Sequence, residues 1–383
     1  MAVNSLSQNI NQAISDFNGV KQAIIDKGVQ IPSGTPTSQY GAKIGEIQGG
    51  SETPEKGFLP TEFDNNGFTT NGTLYGITEV PQYYFSNSSS NSGPFTKLRN
   101  VDFKEDVTKI GGQAFQYCSN LALTELPAGL TGGIEYNTFA ECRNLALTSL
   151  PAGIIRIENS AFWYCTSLAL TELPAGLIRI GNSAFRSCYS LALTSLPAGL
   201  TGGILNSTFY DCRKLALTSL PAGITYIENQ AFYNCYDLAL TELPAGLTSI
   251  GGSAFSNCYD LALTSLPSGI TSINESSFYG CHKLALTELP AGITSIGTYA
   301  FRDCYSLALT ELPAGLTSIG RSAFNYCSNI TTLTFKGKPN SIYGTAFSGC
   351  SKLKTINVPW AEGEVANAPW GATNATISYS YTE

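Results

Sequence analysis

The sequence is poor in the residues that most catalytic and metal sites require. It contains one histidine, His282, and one methionine among 383 residues, and charged residues make up only 13% of the chain. Transition-metal sites use histidine or closely spaced cysteines, yet no Cys-x-x-Cys pair occurs. Gly-x-Ser-x-Gly, phosphate-loop and His-Glu-x-x-His motifs are also missing. The sequence therefore predicts a protein that is not an enzyme and has neither cofactor nor metal.

Strong charge and long apolar runs are absent as well. The net charge is −7 without a basic patch, which argues against nucleic acid as a partner. No apolar run approaches the roughly 18 residues of a membrane span, so no membrane insertion is expected. The first residues, MAVNSLSQNINQAISDFNG, lack the basic segment and apolar stretch of a secretory signal, so we expect no export by that route.

What the chain does contain is a strict repeat, marked by its cysteines. These are Cys118, Cys142, Cys165, Cys188, Cys212, Cys235, Cys258, Cys281, Cys304, Cys327 and Cys350. They recur every 23 residues, with 24 occurring twice. An odd number of cysteines at one phase of a repeat argues against a disulfide framework and favours small buried thiols. A period of 20–29 residues is typical of leucine-rich-repeat solenoids, which bury a core only by stacking.

One repeat unit, LALTELPAGLTSIGGSAFSNCYD, predicts the local structure of a coil. Leu238–Leu243 is expected to be a short strand that ends at Pro244, and Leu247–Ile250 a second one. Phe255, Cys258 and Leu261 follow at i, i+3 and i+6, which suits a tight helical turn with one buried face. Two coils carry an extra glycine, at Gly132-Gly133 and Gly202-Gly203, and each predicts a bulge. The fold class is thus a β-rich repeat solenoid with short helical turns, of about 11 coils of 23–24 residues.

The pattern C-x-x-L-x-x-T-x-L-P-x-x-[LI]-T-x-I-G-x-x-A-F-x-x-C resembles the BspA-like leucine-rich repeats. The resemblance covers about residues 98–358 and recurs in phase. It implies a leucine-rich-repeat solenoid that binds a partner. One difference from the family is a column of threonines, from Thr124 to Thr310, where the family has Ile or Leu. Threonines stacked there could bond between coils at some loss of apolar burial.

The ends of the chain differ from the repeats. The predicted domains are an N-terminal oligomerising or docking helix at 1–28, a linker at 29–50, an N-terminal cap at 51–97, the solenoid at 98–358 and a C-terminal cap at 359–383. The helix is predicted from a capping box at Ser5 and Gln8 and a stop at Gly28. Its apolar seam consists of Leu6, Ile10, Ala13, Phe17, Val20 and Ile24. That heptad pattern predicts a homo-oligomer, a trimer by analogy, although a helix folded back on the cap is an alternative.

Two terminal segments extend the resemblance. AIIDKGVQIPSGTPTSQYGAKIGEI is similar to leaders of phage and prophage tail-associated proteins, and WAEGEVANAPWGATNATISYSY to endings of prophage-encoded BspA-like proteins. The resemblance implies a protein of the virion tail, assembled in the host cytoplasm and acting outside the cell. Its N-terminus would bind a phage tail or baseplate component. Unpaired cysteines agree with assembly in a reducing compartment.

Differences between the near-identical coils point to a binding surface. They concentrate at the four x positions of Phe-x-x-Cys-x-x-Leu, which should face outward because Phe, Cys and Leu face inward. The predicted ligand-binding residues there are Tyr117, Trp163, Tyr164, Arg186, Tyr189, Tyr210, Arg213, Tyr233, Tyr236, Tyr259, Tyr279, His282, Arg302, Tyr305 and Tyr326. Tyr, Trp and Arg dominate binding sites, and rows of aromatic rings suit stacking on sugars. The expected partner is a host cell-surface protein or glycan.

Other interpretations stay open at this point. The tyrosines could merely shield the Phe column from water. A second candidate face is the outward column of the first strand, which consists of Glu125, Ser149, Glu172, Ser195, Ser219, Glu242, Ser265, Glu288 and Glu311. The function predicted from the sequence is host-surface attachment by a phage or prophage tail protein. The alternatives are a bacterial cell-surface adhesin of the BspA-like type and a structural spacer without a ligand.

Overall fold

The fold is a β-solenoid of about 11 turns, as the repeat period predicts. The structure is a computed structural model that describes residues 57–65, 68–87, 95–104 and 107–382. The part of the chain that it describes contains no helix that could cross a membrane. The predicted N-terminal helix, with its seam from Leu6 to Ile24, lies outside the described residues and stays a prediction.

The chain divides into two compact units. Unit 1 comprises the residues up to 170 together with 187–189, and unit 2 comprises 171–186 and the residues from 190 onward. The strands of unit 1 are β1 (Gly57–Phe63), β2 (Thr69–Tyr75), β3 (Glu79–Val80), β4 (Asn100–Phe103), β5 (Lys109–Ile110), β6 (Thr131–Ile134) and β7 (Gly153–Ile157). Those of unit 2 are β8 (Arg179–Ile180), β9 (Gly202–Ile204), β10 (Ile224–Ile227), β11 (Ser249–Ile250), β12 (Ser272–Ile273), β13 (Ser295–Ile296), β14 (Glu311–Leu312), β15 (Ser318–Ile319), β16 (Thr332–Phe335), β17 (Ser341–Ile342), β18 (Thr355–Asn357) and β19 (Thr376–Ser378).

The second predicted strand of the repeat is present and forms parallel ladders. In unit 2, β12, β13, β15 and β17 make a four-stranded sheet in which Ile273 pairs with Ile296 and Ile296 with Ile319. The pairing is parallel because every coil advances in the same direction. Each isoleucine is buried and the serine before it is not, so each strand is only two residues long yet has one inward face.

The first predicted strand, Leu238–Leu243, is not a strand, and its spacing explains why. Leu238, Leu240 and Leu243 are buried, whereas Thr241 and Glu242 are both exposed. The buried side chains are thus two and then three residues apart, and a regular strand needs a constant step of two. The threonines of this column therefore face water. The residue that packs in the core is the leucine directly before each threonine, as Leu240 is before Thr241.

The same segment is a strand near the end of the solenoid, where β16 keeps the step of two and β14, with a step of three from Leu309 to Leu312, pairs with it over two residues only. In β16, Leu333 and Phe335 are buried on either side of Thr334. β16 pairs in parallel with β14 and β18, and β18 pairs with β19. This sheet ends the solenoid within the predicted C-terminal cap. Phe335 there meets Trp360 at a centroid distance of 5.3 Å.

A run of turns replaces the short helical turn expected after the second strand. Ser253 and Asn257 have φ angles of 53° and 59°, and most other coils repeat both values closely. Residues in this left-handed region cannot belong to a right-handed helix. Phe255 and Cys258 nevertheless face inward as predicted, since both are fully buried.

The Phe column is the spine of each unit. In unit 2 the rings from Phe185 to Phe347 stack with centroids 5.2–5.7 Å apart and planes within 15° of parallel. In unit 1 the column starts at Phe85, which stacks on Phe115 at 4.8 Å. Phe85 lies before the range predicted for the solenoid, in a segment with no cysteine to mark it. Burying each such side chain contributes roughly 1.5–3 kcal/mol.

The cysteines form a second buried column. Each Sγ donates to the carbonyl of the Phe one coil earlier, as Cys258 does to Phe232 at 3.0 Å. All eleven cysteines are buried, and none of them forms a disulfide. Burial raises the pKa of the Cys258 thiol well above its ordinary value. These thiols are structural hydrogen-bond donors.

The two glycine insertions change the ladder register, as predicted for bulges. Register shifts occur where β6 pairs with β7 and where β9 pairs with β10. Gly132 and Gly202 have φ angles of 79° and 83°, which favour glycine. At Gly203 the Tyr226 ring lies flat against the backbone, since an added Cβ would be 2.0 Å from it.

Candidate functional site

The candidate site is the surface formed by the x positions of Phe-x-x-Cys-x-x-Leu, here called the ridge. We number its four columns in chain order, two before the cysteine and two after it. In the coil of Phe232 they are Tyr233, Asn234, Tyr236 and Asp237. The inward Phe, Cys and Leu are fully buried, while these four side chains are half-buried or exposed.

The backbone restricts the second column. Its non-glycine residues have φ between 58° and 64°. They are Tyr117, Glu141, Tyr164, Ser187, Asp211, Asn234, Asn257, Asp303 and Tyr326, and Gly280 and Gly349 complete the column. Asn, Asp and Gly tolerate this conformation best, so part of the ridge's variation reflects turn geometry. Asn257 also donates to Asn234 at 2.8 Å, which ties one coil to the next.

A stack of four rings occupies the third column in unit 2. Tyr236, Tyr259, His282 and Tyr305 follow one another with centroids 4.6–4.9 Å apart. Each interior ring of such a stack has a neighbouring ring against both of its faces, so only its edge can face solvent. Tyr259 is 36% exposed and Tyr305, at the end, 46%. The sequence predicted these residues on one surface, and the structure brings them into contact.

The first column of unit 2 combines rings with guanidinium groups. Arg186 lies over the Tyr210 ring at 4.3 Å, and Tyr210 stacks on Tyr233 at 4.7 Å. Further along, Arg302 lies 5.7 Å from the Tyr279 ring centre. A cation held over a ring face contributes roughly 0.5–1 kcal/mol at exposed sites. These contacts hold the two guanidinium groups in place on the ridge.

The ridge of unit 1 has fewer aromatic contacts. Trp163 meets Tyr164 edge-on at 6.1 Å, and Tyr164 meets Tyr189 at 6.2 Å. Arg143 lies 5.4 Å from the Tyr164 ring centre. Tyr117 is half-buried, and its column continues with the non-aromatic Glu141. The structure therefore places Trp163, Tyr164 and Tyr189 in one short cluster. Tyr117 belongs to an earlier coil and lies outside this cluster.

Charges on the ridge are paired locally. Arg213 bonds to Asp211 at 3.1 Å and Lys283 to Asp260 at 2.7 Å. Burial is the main cause that raises the pKa of the Tyr259 and Tyr305 hydroxyls, and for Tyr305 the nearby Asp303 adds to it. Both hydroxyls stay protonated at neutral pH, so the stack offers hydrogen-bond donors to a ligand.

Sequence reasoning missed one ridge neighbour, Tyr299. It lies two residues before the Phe of its coil, and Arg302 lies 5.5 Å from its ring centre. Its φ of 56° places it in the same kind of turn as the second column. The signal was available in the sequence, because most other coils have a small polar residue at this position.

The second candidate face forms a shallow groove in unit 2. Ser265, Glu288 and Glu311 line it together with Pro290 and Lys336, and its volume is about 460 Å³. Lys336 bonds to Glu311 at 3.3 Å. The groove carries no aromatic ring, so it offers less contact energy than the ridge. Within the described residues, no group of three or more His, Cys, Asp or Glu could hold a metal.

Stacked coils of this length, with a Leu-rich core and a short parallel strand per coil, define a leucine-rich-repeat solenoid. The family model for the BspA type leucine rich repeat region matches residues 78–202, 132–262, 202–308 and 249–367. The chain belongs to this BspA-type family. The match begins near Phe85, where the Phe column also begins.

A solved structure supports the fold. A leucine-rich repeat protein from Bacteroides ovatus is 22% identical, with a TM-score of 0.51, and the match covers 86% of this chain and 99% of that one. A leucine rich cell surface protein from Faecalibacterium prausnitzii is 21% identical, with a TM-score of 0.40 and coverage of 82% and 95%. No curated protein matches the chain.

Proposed function

We propose that the protein attaches to a host surface through the ridge, as a component of a phage or prophage tail. The observation that supports the binding role is the concentration of stacked, partly exposed rings on the variable face of the repeat. Solenoids of stacked repeats use extended faces as binding surfaces. A mere shield would need only bulk, whereas Arg186, Arg213 and Arg302 add charged guanidinium groups that lie over or beside tyrosine rings.

The tail assignment rests on the terminal segments that resemble phage-associated proteins. Membership of the BspA-type family supports a second candidate equally well, a bacterial cell-surface adhesin. The family neighbour from Faecalibacterium prausnitzii is described as a cell surface protein. Antibody detection separates the two: signal on purified phage particles supports the tail role, and signal in the bacterial envelope alone supports the adhesin.

Binding of the full chain to candidate bacterial cells tests the ridge itself. The ridge variant changes Trp163, Tyr189, Tyr210, Tyr233, Tyr236, Tyr259 and Tyr305 to Ser. The matched control changes Glu125, Glu172, Glu242 and Glu288 on the strand face to Gln. We expect the native chain and the control to bind and the folded ridge variant to lose binding. Binding by the ridge variant equal to that of the native chain would contradict the proposal and make the strand face the candidate binding surface.

A further inference from the structure

The stack in the third column stops abruptly at Tyr305. The next two residues of the column are Ser328 and Ser351. The coils themselves continue in register, because Phe301 stacks on Phe324 at 5.4 Å and Asp303 donates its backbone N–H to Asn325 at 2.8 Å. The position that a further ring would occupy therefore lies over Ser328.

Tyr305 presents one ring face to this position. Its other face meets His282 at 4.8 Å, whereas a serine side chain is too short to cover a phenol ring. Its exposed fraction of 46% exceeds the 36% of Tyr259, which has rings on both sides. The opposite end of the stack differs, because the Arg213 guanidinium lies 5.9 Å from the Tyr236 ring centre.

Polar groups surround the open position. Asn329 follows Ser328 in the chain, and its side chain bonds to the Lys352 ammonium at 3.4 Å. Tyr326 flanks Ser328 on the other side and is 50% exposed. One flat apolar face with hydroxyl, amide and ammonium groups around its edge matches a sugar ring, which has an apolar C–H face and polar substituents.

We propose that the space over Ser328 is a subsite for one pyranose ring of a surface glycan, stacked on Tyr305. This inference rests on the proposed attachment function and names its ligand class. The ring extends the stack by one member, and its hydroxyls bond to Ser328, Asn329 and Lys352. Within this four-ring stack, a sugar can stack only at the Tyr305 end, since the interior rings have no free face.

Saturation-transfer NMR of the full chain tests this with methyl glycosides of glucose, galactose, N-acetylglucosamine and glucuronic acid. We expect transfer to the ring C–H protons of at least one of them. Tyr305→Ser removes the stacking face, and Ser328→Tyr fills the space with the protein's own ring. Each should weaken binding about tenfold, since an aromatic contact of this kind contributes on the order of 1 kcal/mol.

Tyr343→Ser is the matched control, because it removes an exposed tyrosine ring that lies outside the ridge and should leave sugar binding unchanged. Ser328→Tyr keeps the core intact, so its loss of binding cannot come from unfolding. No transfer to any of the four sugars, or native-like binding by Ser328→Tyr, would overturn the subsite. If the ridge variant still abolishes cell binding in that case, the attachment function stands and only the ligand class is wrong.

Discussion

The buried thiol column predicts a steep loss of stability in mild alkali. Burial raises the pKa of ten of the cysteines above the ordinary value of 9.0. For Cys350, the least buried of them, the pKa is about 12. A group whose pKa is raised on folding contributes its full stability below the unfolded pKa, and this contribution is lost as the pH rises toward the folded pKa. The window therefore opens near pH 9.

The magnitude depends on the number of thiols more than on the size of each shift. At one pH unit above the unfolded pKa, a thiol that stays protonated in the folded chain ionises on unfolding. Each such thiol lowers the free energy of unfolding by about 1.4 kcal/mol. Ten such thiols together cost about 14 kcal/mol near pH 10, which is comparable with the whole stability of a typical domain. We expect cooperative unfolding between about pH 9.5 and 10.5.

The assay is circular dichroism followed against pH, together with the infrared S–H stretch, which disappears as thiols ionise and to which tyrosine does not contribute. The S–H stretch should be lost with unfolding and not before it. A variant with Cys235, Cys258 and Cys281 changed to Ala is less stable at neutral pH, but its unfolding free energy should fall less steeply with pH, by about three tenths. Loss of the S–H stretch while the dichroism stays native would refute the reasoning, because it would require charged sulfur inside the core.

Two further predictions concern backbone positions. Gly203→Ala should destabilise the chain by about 1–3 kcal/mol in urea unfolding, because the new Cβ collides with the Tyr226 ring, 2.0 Å away. Gly246→Ala is its control, with nothing within 4 Å of the added Cβ, and equal effects of the two changes would contradict the account. Asn257→Val should cost about 2 kcal/mol or more, since a branched residue at a φ of 59° is strained and the bond to Asn234 is lost. Asn257→Gly should cost about 1 kcal/mol, from the lost bond alone, and a larger loss than for Val would show that φ is not the cause.

Much of the fold could be predicted because the repeat states its own period. The positions of Phe255 and Cys258 follow from their recurrence, and recurrence at one phase requires one inward column. The strand at Ser249–Ile250 and the glycine bulges followed from the same alignment. The prediction of a first strand at Leu238–Leu243 was wrong. The step of three from Leu240 to Leu243 could be recognised as irregular only once both residues were known to be buried.

The ridge was predictable as a surface but not as an arrangement of rings. Variation among coils located its residues, since packing holds the remainder of the unit constant. The order of contacts depends on which column each side chain occupies and on the coil spacing. The open ring face of Tyr305 could therefore be recognised only from the structure, and so could the contact between the Arg213 guanidinium and the Tyr236 ring. The left-handed φ of the second column was hidden in the sequence, because Tyr117, Glu141 and Tyr164 share it with Asn and Gly.

The near identity of the coils has a consequence for inheritance. The two glycine insertions, Gly132-Gly133 and Gly202-Gly203, lie three coils apart, which indicates that a three-coil block was once duplicated. A recombination event between equivalent points of two coils adds or removes whole coils and leaves the Phe and Cys columns unbroken. It changes only which ridge residues become neighbours. A gene of this kind can therefore rearrange its aromatic stacks at no risk to the core.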